Sequence, residues 1–224
     1  MQFINVRQLQ AWLAVAVLLI GGASTLPAQQ LARFDSLVST GDSAWRSGRF
    51  PDAKAAYREA LALDSVGSSR AVYRLAVLLS WDGNLTNAIP LFQRYSALEP
   101  RDEEGRIALA KAFAWNGQTA AAVAVYDSIL SRDSTYRDAA LGAALVLAWA
   151  ARFDEAVGRY DRWLLANVKD VEAELGRARA LAWWGKLSLA EETYAAIAAR
   201  GERLEADKGL ALVAAWRGDL LRSE

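Results

Sequence analysis

The chain has 224 residues, 54% of them hydrophobic and 23% charged, which supplies a packed core and excludes a disordered chain. Lys and Arg together number 26, as do Asp and Glu, so no basic excess points to nucleic acid and no acidic tail is present. There is no Cys and no His, which excludes disulfides, thiol chemistry, imidazole general-base catalysis and zinc sites of the usual ligands.

The amino terminus reads as a leader. MQFINVRQLQ carries one positive charge at Arg7, AWLAVAVLLI is an apolar run from Ala11 to Ile20, and GGASTLPAQQ brings small residues. That order predicts a secretory signal peptide over residues 1–28, cut after Ala28, although Leu26 is large for its place before the cut. The apolar run is short for a bilayer span. No Cys follows it to make a lipoprotein, and no second long apolar run exists, so the mature chain is expected to have no membrane span. Residues 29–34 are then a lead-in, and residues 35–224 form one repeat domain.

Past the leader the chain repeats itself. LSWDGN has Trp81 and Gly83, FAWNGQ has Trp115 and Gly117, and LAWAAR has Trp149 with Ala151 in the glycine place. LAWWGK has Trp183 and Gly185, and AAWRGD has Trp216 and Gly218. The tryptophans are 34, 34, 34 and 33 residues apart, which predicts an array of like units. In each unit a first helix ends at the tryptophan and the glycine makes the turn. A second helix then carries an alanine (Ala53, Ala88, Ala122, Ala156, Ala190) and, four residues on, an aromatic (Tyr57, Phe92, Tyr126, Tyr160, Tyr194). Residues four apart share a helix face, so the alanine admits a neighbouring helix and the ring fills the space beside it.

This unit resembles the tetratricopeptide repeat, a 34-residue helix–turn–helix. GDSAWRSGRFPDAKAAYREALALDS has Gly48, Phe50, Ala53, Tyr57, Ala60 and Leu61 in that family's places, and the resemblance runs over roughly residues 35–221. It implies an all-α, right-handed solenoid of five units and part of a sixth. There are departures. The family's proline at the end of the unit is present only as Pro100; Ser65 and Ser134 stand there elsewhere and can cap the next helix. Pro90 lies inside a second helix, which predicts a late start or a kink. The chain stops at RGDLLRSE, where Gly218 should turn and Leu220 should open a further helix. That predicts either a fragment of a longer array or an array that another domain follows.

With the turn glycine numbered 15 in each unit, positions 8 and 11 hold packing residues: Ala76 and Leu79, Ala110 and Phe113, Ala144 and Leu147, Ala178 and Leu181. Positions 5, 9 and 13 fall on another side of the first helix. They hold Tyr73, Val77 and Trp81; Ile107, Lys111 and Trp115; Leu141, Leu145 and Trp149; Leu175, Arg179 and Trp183. The resemblance implies that this side lines a concave groove in which peptides bind. Tyr73, Trp81, Lys111, Trp115, Trp149, Arg179, Trp183 and Trp216 are therefore the candidate ligand-binding residues. Stacked units would set the tryptophans in a ladder with steps of about 10 Å. Two roles fit such a ladder: each ring packs on the next unit's first helix, as repeating residues usually do, or it stands exposed as a flat platform for a sugar face or an extended peptide. Trp163, on a second helix, is expected in the core, and Trp184 at a surface or turn.

No catalytic constellation is present. The acidic clusters Asp102 to Glu104, Asp154 with Glu155 and Glu191 with Glu192 fall mostly near helix starts, where they meet the positive end of the helix dipole. No phosphate loop has the required spacing and lysine. No cofactor, metal or enzymatic activity is expected. The reading is a periplasmic scaffold that holds a protein or peptide partner of the cell envelope in its groove. The alternative is a polysaccharide-contacting module, because the repeats also resemble, less specifically, the periplasmic part of outer-membrane exopolysaccharide secretion proteins, where a β-barrel follows.

Overall fold

The computed structural model describes residues 28–63 and 68–223, of which 219–223 by backbone alone. The leader, apart from Ala28, and Ser65 lie outside the described residues. The described residues form eleven helices and no strand. They fall into two compact blocks that meet in the first turn of the third helix, one ending at Ala71 and the other beginning at Val72.

The first block holds α1 (Ala28–Arg46) and α2 (Phe50–Leu63). Residues 29–34 are the opening turns of α1, not a separate lead-in, and Phe34 is buried. Gly41 lies flat on the Tyr57 ring: a Cβ there would stand 2.6 Å from it. The Tyr57 hydroxyl donates to Asp42 at 2.7 Å, and Arg70 donates to the other oxygen of the same carboxylate at 3.1 Å.

The second block continues α3 (Ser69–Trp81) into α4 (Leu85–Leu98), α5 (Glu103–Trp115), α6 (Thr119–Leu130), α7 (Arg137–Trp149), α8 (Phe153–Ala166), α9 (Val171–Trp183), α10 (Leu187–Ala199) and α11 (Arg203–Ser223). Repeats 3, 4 and 5 are the pairs α5/α6, α7/α8 and α9/α10. Each turn is closed the same way. The glycine takes a positive φ (Gly83 74°, Gly117 73°, Gly185 79°), and the next amide reaches back into the first helix, as Asn84 N–H to the Leu79 carbonyl and Lys186 N–H to Leu181, both 2.9 Å. Ala151 takes the same conformation with φ 58°, the strained case for a residue with a Cβ.

The packing positions hold as the repeat predicts. Ala88, Ala122, Ala156 and Ala190 are fully buried, as are the rings of Phe92, Tyr126, Tyr160 and Tyr194 to within a few per cent. Ala76, Ala110, Ala144 and Ala178 are sealed beneath them. First helices of successive repeats also touch, α5 on α7, α7 on α9 and α9 on α11, so they stack side by side.

Three sequence expectations fail. Despite Pro90, α4 does not start late: it opens at Leu85, two residues past its turn glycine like the other second helices. Pro90 and Thr86 are both exposed, so the carbonyl that the proline cannot reach faces the solvent side of the helix. Ser134 caps nothing: Tyr136 precedes α7, and it is Asp133 that ties the loop, its carboxylate accepting from the Thr135 amide at 2.9 Å. Gly218 makes no turn, and α11 runs through it to Ser223. The positive-φ turns are held by a second helix folding back on the first, and no such helix stands against the end of α11 among the described residues.

Candidate functional site

The first helices α5, α7, α9 and α11 present four parallel rows on one side of the second block. Position 2, in the first turn of each helix, is acidic throughout: Glu104, Asp138, Glu172 and Glu205. Position 5 is an apolar strip of Ile107, Leu141 and Leu175 that ends at Lys208. Position 9 alternates Lys111, Leu145, Arg179 and Leu212. Position 13 is the tryptophan row. Between α5 and α11 this side sinks into a groove of about 480 Å³ whose floor is Leu141, Leu145 and Leu175 and whose rim carries Lys111, Asp138, Glu172, Arg179 and Glu205. A smaller hollow of about 170 Å³ continues it over Leu175, Arg179 and Lys208 to Trp183.

The structure brings Lys111, Arg179 and Trp183 of the candidate residues to these hollows. Lys111 is exposed. Arg179 hydrogen-bonds the Tyr194 hydroxyl and keeps an exposed head. Burial raises the Tyr160 hydroxyl to about 12, opposed by Arg179 and helped by Glu172, so it is a neutral donor at the groove wall. The acidic row is partly matched from within: Glu172 accepts from Arg137 at 2.9 Å and Glu205 from Lys208 at 2.7 Å.

The tryptophan row is not uniform. Trp81, Trp115 and Trp149 are 59%, 56% and 53% exposed, and Trp183 is 37% exposed. Trp216 is half-buried and packs on the core of the last repeats. Tyr73 is half-buried too, stacked edge-on against Phe92 at 5.9 Å and tilted against Tyr95 at 4.8 Å. Trp184 closes the end of α9 with the Lys186 ammonium 3.3 Å above its ring. Trp163, expected in the core, is only half-buried; its indole N–H needs an acceptor and donates to Asp170 at 2.8 Å.

Two features went unread in the sequence. Gly142, Gly176 and Gly209 recur at position 6, each under the tyrosine of the preceding repeat. A Cβ there would stand 2.7, 2.6 and 2.4 Å from the rings of Tyr126, Tyr160 and Tyr194. Their spacing, 34 and then 33 residues, was the available signal. The second is Asp170, which caps α9 through the Ala173 amide and accepts from Trp163 and, twice, from Arg137 at 2.8 and 2.7 Å. The Arg137 guanidinium holds this carboxyl down at about 2. Its only local sign is an aromatic seven residues before a helix-capping Asp, a pattern that Tyr95 and Asp102 share.

No group of three or more acidic side chains among the described residues is placed to hold a metal, and no described helix is long and apolar enough to cross a membrane. The tetratricopeptide repeat family model matches residues 39–103, and the same unit recurs after them. Over those residues the chain carries the tetratricopeptide repeat. Solved tetratricopeptide repeat structures share its fold. One from Parabacteroides merdae ATCC 43184 aligns with a TM-score of 0.71 at 17% identity, over 85% of this chain and 76% of that one. The MamA protein aligns at 0.62 and 18% identity, over 79% and 91%. YrrB, a tetratricopeptide repeat protein with an unusual peptide-binding site, aligns at 0.60 and 14% identity, over 81% and 90%. No curated protein matches the sequence.

Proposed function

We propose that this tetratricopeptide repeat protein is a non-enzymatic scaffold that binds an extended segment of a protein partner in the groove of α5, α7, α9 and α11. The observation that carries the reading is the groove itself, an apolar floor of Leu141, Leu145 and Leu175 between an acidic edge and the exposed cations Lys111 and Arg179. An extended chain laid there meets apolar contacts beneath it and charges of both signs beside it, which fixes position and direction as well as affinity. YrrB, a tetratricopeptide repeat protein of like fold with an unusual peptide-binding site, is consistent with it.

The leader pattern of residues 1–28 supports export across the inner membrane of a double-membraned bacterium, with a partner in the cell envelope. Amino-terminal sequencing of the exported chain is expected to begin at Gln29.

The test is an array of extended twelve-residue peptides probed with the purified chain. Lys111→Glu with Arg179→Glu is expected to weaken the bound peptides at least about tenfold; binding that ignores both charges, or an array with no binder, overturns the reading. A second reading, polysaccharide contact, rests on the exposure of Trp115 and Trp149. Trp149→Ala is expected to cost less than about 1 kcal/mol of stability. If it also abolishes binding of a soluble polysaccharide such as alginate, the second reading replaces the first.

A further inference from the structure

The loop edge where α8 hands over to α9 carries exposed features outside the groove floor. The Trp163 ring is the common wall of two hollows. One, of about 270 Å³, lies between it, Leu130 and Arg162; the other, of about 370 Å³, lies between it, Val168 and Lys169. The ring cannot swing away, because its N–H is held by Asp170, which Arg137 grips with two hydrogen bonds. Val168, which lines the second hollow, is 67% exposed, and Leu165, one turn from Arg162 on α8, is 82% exposed. In the last turn of a surface helix and the loop after it, polar residues would cover the backbone at no cost in exposed apolar area.

The charges around this ring are unbalanced. Arg159 is matched by Asp127, with one of its hydrogen bonds at 2.9 Å, and Arg137 by Asp170 and Glu172. Arg162 reaches only the Gly158 carbonyl in its own helix, and Lys169 has no carboxylate partner among the described residues. Each hollow thus has one exposed cation lacking a counter-charge, and the two flank a fixed aromatic face. The groove is charged differently, with the three acids Asp138, Glu172 and Glu205 along its rim. The two surfaces adjoin at Arg137, which lines both the groove and the Val168 hollow, while Arg162 and Lys169 line only the second surface.

We infer that this edge is a second docking surface, and that it takes an acidic segment of a partner protein: an apolar or aromatic side chain against Trp163 and Val168, with carboxylates to either side on Arg162 and Lys169. The charge complementarity selects the occupant. A neutral apolar segment would leave both cations unpaired, and a basic one would be repelled.

The test uses the purified chain, ¹⁵N-labelled at tryptophan, with the Trp163 indole resonance identified through Trp163→Phe. The probes are three fluorescein-labelled decapeptides, one alternating Glu and Asp with Leu and Phe, one with Gln and Asn in the acidic places, and one with Lys there, and vesicles of neutral and of anionic phospholipid. The acidic peptide is expected to bind and to move the Trp163 indole signal. Arg162→Glu with Lys169→Glu should weaken it at least about tenfold, while Lys111→Glu with Arg179→Glu in the groove leaves it unchanged. Leu165→Asp, at a more exposed position, supplies a second variant that keeps the fold. Equal binding of the neutral peptide, loss of binding in the groove variant, anionic vesicles that shift the indole where the peptide does not, or a Trp163 signal that no peptide moves would each overturn the inference.

Discussion

The junction from α6 to α7 and the junction from α8 to α9 occupy the same place in successive repeats and are built differently. At the first, Ile129 fills the contact and is fully buried. The loop beyond it is tied by its own Asp133 and Thr135. At the second, Trp163 stands in the isoleucine's place, too large to be sealed and carrying a donor. Asp170 caps α9, takes the indole hydrogen bond and anchors Arg137 across the repeat. The α4–α5 junction follows the second plan, with Tyr95 on Asp102, and the α10–α11 junction follows the first, with Ile197 buried. An apolar junction is closed by packing alone and tolerates any loop. An aromatic junction with a polar atom needs a fixed acceptor, and it leaves an edge that water and partners can reach.

The largest expected effect comes from removing that acceptor. Asp170→Ala takes away the α9 cap and orphans the Trp163 N–H, a loss of about 2–3 kcal/mol in urea unfolding. Asp133→Ala, at the isoleucine junction, should cost less than about 1 kcal/mol. The same carboxyl sets a pH dependence. It titrates at about 2 in the folded chain, below its ordinary value, so the stability it confers is complete above about pH 4. That stability is lost as the pH falls through 2. The variant's acid unfolding should lack this step; equal costs at the two junctions would remove the distinction between them.

Next comes the glycine beneath the tyrosine. Gly176→Ala puts a methyl group 2.6 Å from Tyr160 and should destabilise by about 1–3 kcal/mol. Gly158→Ala, on α8 with open space around it, should be neutral or stabilise by up to about 1 kcal/mol through helix propensity. If both variants behave alike, the tyrosine–glycine contact is not what sets the approach of successive repeats.

The smallest effect sharpens the contrast from the other end of repeat 4. Ala151 is a described non-glycine residue at positive φ, and its neighbours Gly117 and Gly185 show what the turn prefers. Ala151→Gly should raise stability by about 1 kcal/mol, since it relieves a strained backbone at the cost of some unfolded-state entropy. Thermal unfolding that shows no gain would place the strain elsewhere.

Much of this molecule is legible as a string. Five tryptophans at a near-constant spacing, a glycine two residues after all but one of them and an alanine–aromatic pair beyond fix the period, the turns and the buried faces, because each is a local rule repeated. Position 6 repeats as regularly, but glycine inside a helix looks like a weakness until the ring above it is seen. Helical spacing gave the direction in which Trp81, Trp115, Trp149, Trp183 and Trp216 point, but not what covers them. Three are more than half exposed, one less so, and Trp216 lies on the core, although all five hold the same place in the repeat. Likewise Arg137 and Asp170 are 33 residues apart, and nothing in either neighbourhood announces the other. Local sequence determines backbone conformation and the facing of each side chain. Exposure, ion pairing and the balance of charge at an edge depend on which surfaces the stacked helices bring together, and only the tertiary structure decides that.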